Sequence, residues 1–201
     1  MKKSRIAIIG AGKHAMMLKQ LIVSQGYTFV GFFDENKNKN KNKLILGNLK
    51  DLSLNNKKID FLLLGLGDNS LRGYIFDKLK KKNYKFLTFV HSSVKVCKSA
   101  KIKEGSVVLM GAIINSNSVI DEACIINSGS IIEHDCHIKF SSHICPGVYL
   151  AGNVSIGKYS MIGIGSRVIQ NIKILDKVIV GAGSIVLKNI NKSLIVKGIH
   201  S

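Results

Sequence analysis

Arginine is scarce in this sequence: only Arg5, Arg72 and Arg167 stand among thirty cationic residues. Acidic residues are also few, twelve in all, which leaves a formal net charge of +18. No aliphatic stretch, Phe61 to Leu66 included, approaches the ~20 residues that span a bilayer. Lys2 and Lys3 precede only Ile6 to Ile9, too short for the apolar region of a signal peptide. The four cysteines, Cys97, Cys124, Cys136 and Cys145, show no C-x-x-C spacing, so no metal knuckle is expected. A cytoplasmic chain with free thiols, and with no membrane partner, is the expectation.

The charge invites a nucleic-acid reading, because neutralising phosphates needs Lys and Arg. The shortage of arginine, the residue that reads bases bidentately, argues against it. So does the lack of a basic helix or an aromatic platform. Residues 1–90 carry eighteen cations and six acids, residues 91–201 twelve and six. Part of the first excess is Asn36 to Lys43, an alternating Asn-Lys run that reads as a solvated loop. A general lysine and asparagine bias accounts for the rest, leaving a use in attracting small anionic substrates. With 201 residues and 46 % apolar content the chain is long and apolar enough to bury a core.

The second half contains a repeat. Stepping by six from Val90 to Val186 meets seventeen aliphatic residues without exception, among them Ile114, Ile132, Leu150, Ile162 and Val180. Four places after each lies a mostly small side chain: Ala100, Ser106, Ala112, Ser118, Cys124, Ser130, Cys136, Ser142. This period fits neither a helix nor an isolated strand. It predicts short strands joined by tight corners and stacked as a parallel β-helix. Three hexapeptides close one triangular turn, so residues eighteen apart lie above one another. Cys124 and Cys136 occupy the small inward slot and are read as packing residues.

The first half alternates strand and helix, the pattern of a small parallel α/β domain. Strands are expected at Arg5 to Gly10, Tyr27 to Phe33, Phe61 to Leu64 and Tyr84 to Val90. Helices are expected from the Gly10 loop to about Gln25 and from Ser70 to about Lys81. The predicted domains are residues 1–89, Rossmann-like, and 90–201, the β-helix.

Two candidate sites emerge. Gly10-Ala11-Gly12-Lys13-His14-Ala15 follows a strand, opens a helix and matches G-x-G-x-x-G/A. Such a loop lets backbone N–H groups and a helix N-terminus approach a phosphate. Asp34 ends the second strand, where an acid commonly takes a sugar hydroxyl. Alone, the motif suggests NAD, but a domain this small is about one mononucleotide-binding half. That favours a single nucleotide or nucleotide sugar; a tight glycine turn without ligand is the plainer alternative. The second site is Glu133-His134-Asp135, on the β-helix exterior. Asp135 can orient the His134 imidazole, and Gly152 stacks over it at one strand spacing, ~4.8 Å. A general base one rung from a glycine N–H suits acyl transfer. His143 lies half a turn on, and His137 reads as surface.

With these residues in view, the chain resembles the left-handed β-helix sugar acetyltransferases that carry an N-terminal Rossmann-like domain. The likeness is to the UDP-N-acetylbacillosamine N-acetyltransferase type, related to the sialic acid O-acetyltransferase group, and covers nearly the whole chain. The resemblance implies left-handed coiling, a homotrimer, and acetyl-CoA bound between neighbouring β-helices. It implies His134 as general base, Asp135 as the acid raising its basicity, and Gly152 as the amide facing the acetyl carbonyl. It places acetyl-CoA also on His143, Ile164 and Ala182, and a nucleotide sugar on Gly12, Lys13, His14, Asp34, Glu35 and Gly67. The implied activity is metal-free N-acetylation of a nucleotide-linked amino sugar, with a UDP-4-amino-4,6-dideoxy sugar as the expected acceptor. O-acetylation of a sugar hydroxyl, a nicotinamide-dependent oxidoreductase and a non-catalytic binding protein are the alternatives. Four features depart from the family pattern. Lys13 replaces a small residue, Asp135 is shorter than the usual Glu, Asn36 to Lys43 lengthens a loop, and Val196 to Ser201 lacks a Gly-x-Pro-Ala ending.

Overall fold

A computed structural model describes residues 3–35, 44–192 and 194–201 of the chain; the Asn36 to Lys43 run lies outside them. The chain divides into two compact units, Met1–Phe89 and Val90–Ser201.

In the first unit β1 (Arg5–Ile9), β2 (Thr28–Phe33), β3 (Ile45–Gly47) and β4 (Phe61–Leu64) form a parallel sheet in the order β3-β2-β1-β4. Ile6 to Ile9 are all buried, the continuous apolar run of a strand covered on both faces. α1 (Lys13–Ser24) buries Ala15, Leu18, Leu21 and Ile22, one stripe at helical spacing. α2 (Asn69–Lys80) is capped by Asp68, whose Oδ1 accepts the Leu71 N–H at 2.7 Å. The sheet differs from the sequence expectation. Tyr84 to Val90 is not a full strand: Phe86 makes one isolated bridge to Leu62, and only Phe89–Val90 is extended. The fourth strand is instead β3, followed by 3-10 turns over Leu49–Lys58. Three residues beside a polar run carry too little periodicity to announce a strand.

The second unit is a left-handed parallel β-helix of two-residue strands in three sheets. Its first face holds strands such as Ile125–Ile126, His143–Ile144 and Met161–Ile162. The second holds Ile113–Ile114, Ile131–Ile132 and Tyr149–Leu150, and the third Val119–Ile120, His137–Ile138 and Ser155–Ile156. Register partners are eighteen apart throughout these pairs, as Ile132 with Ile114 and Leu150. The aliphatic residue of each strand points inward; Ile114, Ile120, Ile126, Ile132, Ile138 and Ile144 are fully buried.

The corners have two devices. Every sixth residue from Gly105 to Gly183 has positive φ, including Asn117, Asp135, Asn153 and even Tyr159 and Lys177. Coil closure imposes this conformation; Gly, Asn and Asp accept it most easily. The small slot beside it is often a buried serine that satisfies corner backbone. Ser118 Oγ donates to Glu133 O at 2.6 Å and accepts the Cys136 N–H at 3.0 Å. Ser106 does the same with Asp121 O and Cys124 N–H. Cys124 and Cys136 fill equivalent slots and are buried. Burial pushes the Cys136 thiol up, and that of nearby Cys145 to about 11, as suits packing.

Candidate active site

His134 sits on the corner between the second and third faces, where the rungs hold it from both sides. The Asp135 N–H donates to Ser116 O and the Asn153 N–H to His134 O, each at 2.9 Å. Asp135 turns back in the left-handed region, φ 60°. That turn brings its Oδ2 to 2.8 Å from His134 Nδ1. A carboxylate only accepts, so Nδ1 carries a proton, and in the neutral ring Nε2 presents a lone pair. The hydrogen bond from His134, then that from Asn117, holds the Asp135 carboxyl below the ordinary carboxylate range.

Gly152 lies one rung above. A Cβ there would stand 2.5 Å from His134 Cε1 and 2.6 Å from Nε2, so only glycine leaves the ring its position. The structure therefore brings His134, Asp135 and Gly152 together at one corner. It does not bring His143, Ile164 or Ala182 to them. His143 lies on the first face, and Ile164 and Ala182 stack at the corner between the first and second faces. There the Gly183 N–H donates to Ile164 O at 2.7 Å, and Ile164 is 60 % exposed. Asn127, which sequence reading did not single out, sets the His143 tautomer. Its Oδ1 accepts the Ser128 N–H at 2.8 Å, so Nδ2 donates to His143 Nε2 at 3.1 Å. In the neutral ring this contact leaves the His143 proton on Nδ1.

In the first unit Gly10 has φ +92°, and a Cβ would stand 2.8 Å from Leu66 Cδ2. At Gly12 and Gly67 a Cβ would meet nothing within 4 Å, so both face open space. Gly12 also caps α1 without a side-chain hydrogen bond. Asp34 Oδ2 accepts the Ala11 N–H at 2.8 Å, so one of its oxygens shapes the loop. Asp34 and Glu35 line a cavity of about 220 Å³ with Leu49, Leu66, Leu71 and Ile75. These four apolar residues were not anticipated, because they meet only where β2, α2 and the 3-10 turns converge. A second cavity of about 270 Å³, around Asp60 and Lys82, contains none of the anticipated residues.

Lys13 is exposed at the first turn of α1, whereas His14 is largely buried. Burial, then the charge of Arg72, lowers the His14 pKa to about 4, and its Nε2 is buried without a partner. Arg72 is itself buried and donates to Leu66 O, Gly67 O and Asn69 Oδ1, shaping the loop before α2. Among the described residues no cluster of three His, Cys, Asp or Glu side chains is placed to hold a metal. No described helix is long and apolar enough to cross a membrane.

The family model of the PglD N-terminal domain matches residues 5–79. PerB from Caulobacter crescentus, solved with CoA and GDP-perosamine, is 30 % identical, over 97 % of this chain and 94 % of that one, at a TM-score of 0.91. The acetyltransferase domain of PglB from Neisseria gonorrhoeae is 28 % identical over 98 % and 97 %, at 0.89. WeeI from Acinetobacter baumannii shares the fold at 22 % identity over 94 % and 93 %, TM-score 0.81. A left-handed β-helix following a small parallel α/β unit, in a chain this similar to acetyltransferases solved with CoA, defines an acyltransferase. The chain belongs to the hexapeptide-repeat acetyltransferases with a PglD-type N-terminal domain.

Proposed function

We propose that the protein transfers the acetyl group of acetyl-CoA to the amine of a nucleotide-linked amino sugar. The observation that carries this is the His134–Asp135 pair at 2.8 Å with Gly152 packed against the imidazole. Acetyl-CoA, the donor substrate, supplies an activated thioester. The sugar amine must lose a proton as it attacks, and His134 Nε2 accepts it while Asp135 keeps the ring in register. The Gly152 N–H stabilises the charge that builds on the acetyl oxygen, and the coenzyme leaves as its thiol. Gly12, Lys13, His14, Asp34, Glu35 and Gly67 hold the nucleotide sugar, with the open approach at Gly12 and Gly67 taking its phosphates.

His143, Ile164 and Ala182 join this site from a neighbouring copy. Two faces of the β-helix carry apolar outward residues: Met161, Ile179 and Ile195 on the first, Ile131, Tyr149, Ile185 and Ile199 on the second. The second also carries Lys95 and Arg167, and the third carries Lys101, Val119, His137, Ser155 and Lys173, so the third is the more polar. Ile195 and Ile199 are 63 % and 67 % exposed. A three-fold ring needs two different faces per protomer, which is what this distribution provides. The resemblance favours a UDP-linked sugar, while the GDP-perosamine complexes of a relative favour GDP.

His134→Ala is expected to lower turnover by ~10² or more with trimer mass and ligand binding retained. Coenzyme release is to be assayed with UDP- and GDP-linked 4-amino sugars and with a hydroxyl acceptor. Near-wild-type turnover in the variant, or none in the native enzyme with any amine, overturns the reading.

A further inference from the structure

One rung below Glu133-His134-Asp135 lies Asn115-Ser116-Asn117, a neutral counterpart eighteen residues earlier. Each outer residue of the upper triplet is held from below. Asn115 Nδ2 donates to Glu133 Oε2 at 3.0 Å, and Asn117 Nδ2 to Asp135 Oδ1 at 3.1 Å. Asn117 is in turn tied down, its N–H donating to Ser99 Oγ at 3.0 Å. The two carboxylate oxygens of Asp135 are thus divided, Oδ1 to Asn117 and Oδ2 to His134 Nδ1.

The division matters because within a single copy the pair is largely uncovered: the side chains of His134 and Asp135 are 58 % and 50 % exposed. An exposed histidine–carboxylate contact holds its partners weakly, since two mobile side chains must stay in one geometry. Asp135 gains one constraint from its backbone, in the left-handed region, and needs a second to fix its carboxyl rotation. Asn117 supplies it. Its amide orientation is not ambiguous, because only the NH2 group can face an acceptor-only carboxylate.

We propose that Asn117 is a positioning residue of the acetyl-transfer site, pinning Asp135 so that His134 keeps its reactive tautomer and direction. The inference rests on His134 being the base. Asn117 and Asp135 both have positive φ, 59° and 60°, so glycine replaces either without backbone strain.

The test is a double-mutant cycle at saturating substrates. Asn117→Gly is expected to lower kcat about 10-fold, the scale of one hydrogen bond to a charged group, with both KM values within about twofold. Asp135→Gly is expected to lose about 10², and the double variant no more than Asp135→Gly alone. Asn115→Ala removes the matching contact on the other side of His134 and is expected to leave kcat within about twofold. Wild-type kcat in Asn117→Gly, multiplying losses in the double variant, or an equal loss in Asn115→Ala each overturn the proposal. Thermal unfolding of every variant separates loss of fold from loss of orientation. His134→Ala tells the two readings apart. If it keeps wild-type turnover, the base assignment falls and the Asn117 role with it; if it is inactive while Asn117→Gly keeps wild-type kcat, only the Asn117 role falls.

Discussion

Gly65 and Gly152 forbid a side chain for different reasons, and the contrast separates the two units. At Gly65, before α2, a Cβ would stand 2.5 Å from Ala15 Cβ, 2.8 Å from Ile8 Cγ2 and 3.0 Å from Ala15 Cα. Those atoms belong to α1 and β1 and have nowhere to go. At Gly152 the obstacle is one imidazole, exposed and able to swing outward. Gly65 serves close packing of helix on strand; Gly152 leaves room for the His134 imidazole. One protects the fold, and the other keeps the proposed base in place.

Substituting the two glycines breaks or sharpens that contrast. Gly152→Ala is expected to reduce turnover by ~10² with thermal stability near wild type, because the ring turns aside while the rungs stay paired. A fall in melting temperature with activity retained reverses the assignment.

The next effect belongs to the α/β unit alone. His14 titrates at about 4 in the folded chain against 6.5 in the unfolded one. A depressed folded pKa means that below pH 6.5 the unfolded state binds a proton the folded state refuses. His14 therefore costs no stability above about pH 6.5, and stability falls as pH drops from there toward 4. The loss is at most about 3 kcal/mol, to be read from urea unfolding across that range. His14→Gln is expected to remove this contribution, and an unchanged slope contradicts it. Gly65→Ala is expected to be the smallest of the three, about 2 kcal/mol of overpacking in thermal or urea unfolding. Its effect on the His134 corner is expected to be slight, so kcat should persist in the folded fraction.

Much of the β-helix was readable in one dimension because its contacts are strictly periodic. Once three hexapeptides make a turn, Gly152 must lie over His134, and the structure puts it there. The motif at Gly10 was readable for a related reason, since strand, glycine turn and helix follow one another directly. Less was readable where chain-distant pieces meet. Leu49, Leu66, Leu71 and Ile75 form a cavity wall from three separate segments. Arg72, buried among neutral acceptors, has no sequence signature distinguishing it from a surface cation on α2. The positive φ at Tyr159 and Lys177 contradicts local preference, because coil closure outweighs the ~1–2 kcal/mol that a side chain loses there.

The sequence by itself determined the period, the stacking register and the residues at the His134 corner, since a six-residue repeat admits one way of burying its aliphatic face. Even the charge of +18, so prominent at first, placed no residue. Tertiary structure alone decided how the candidate site residues are held: which oxygen of Asp135 meets His134, that Asn117 holds the other, and that Asp34 braces the glycine loop. The physical reason is that hydrogen bonds are set by direction over a few ångström. A repeat fixes which residues are neighbours, while the turn of each corner fixes which atoms face one another.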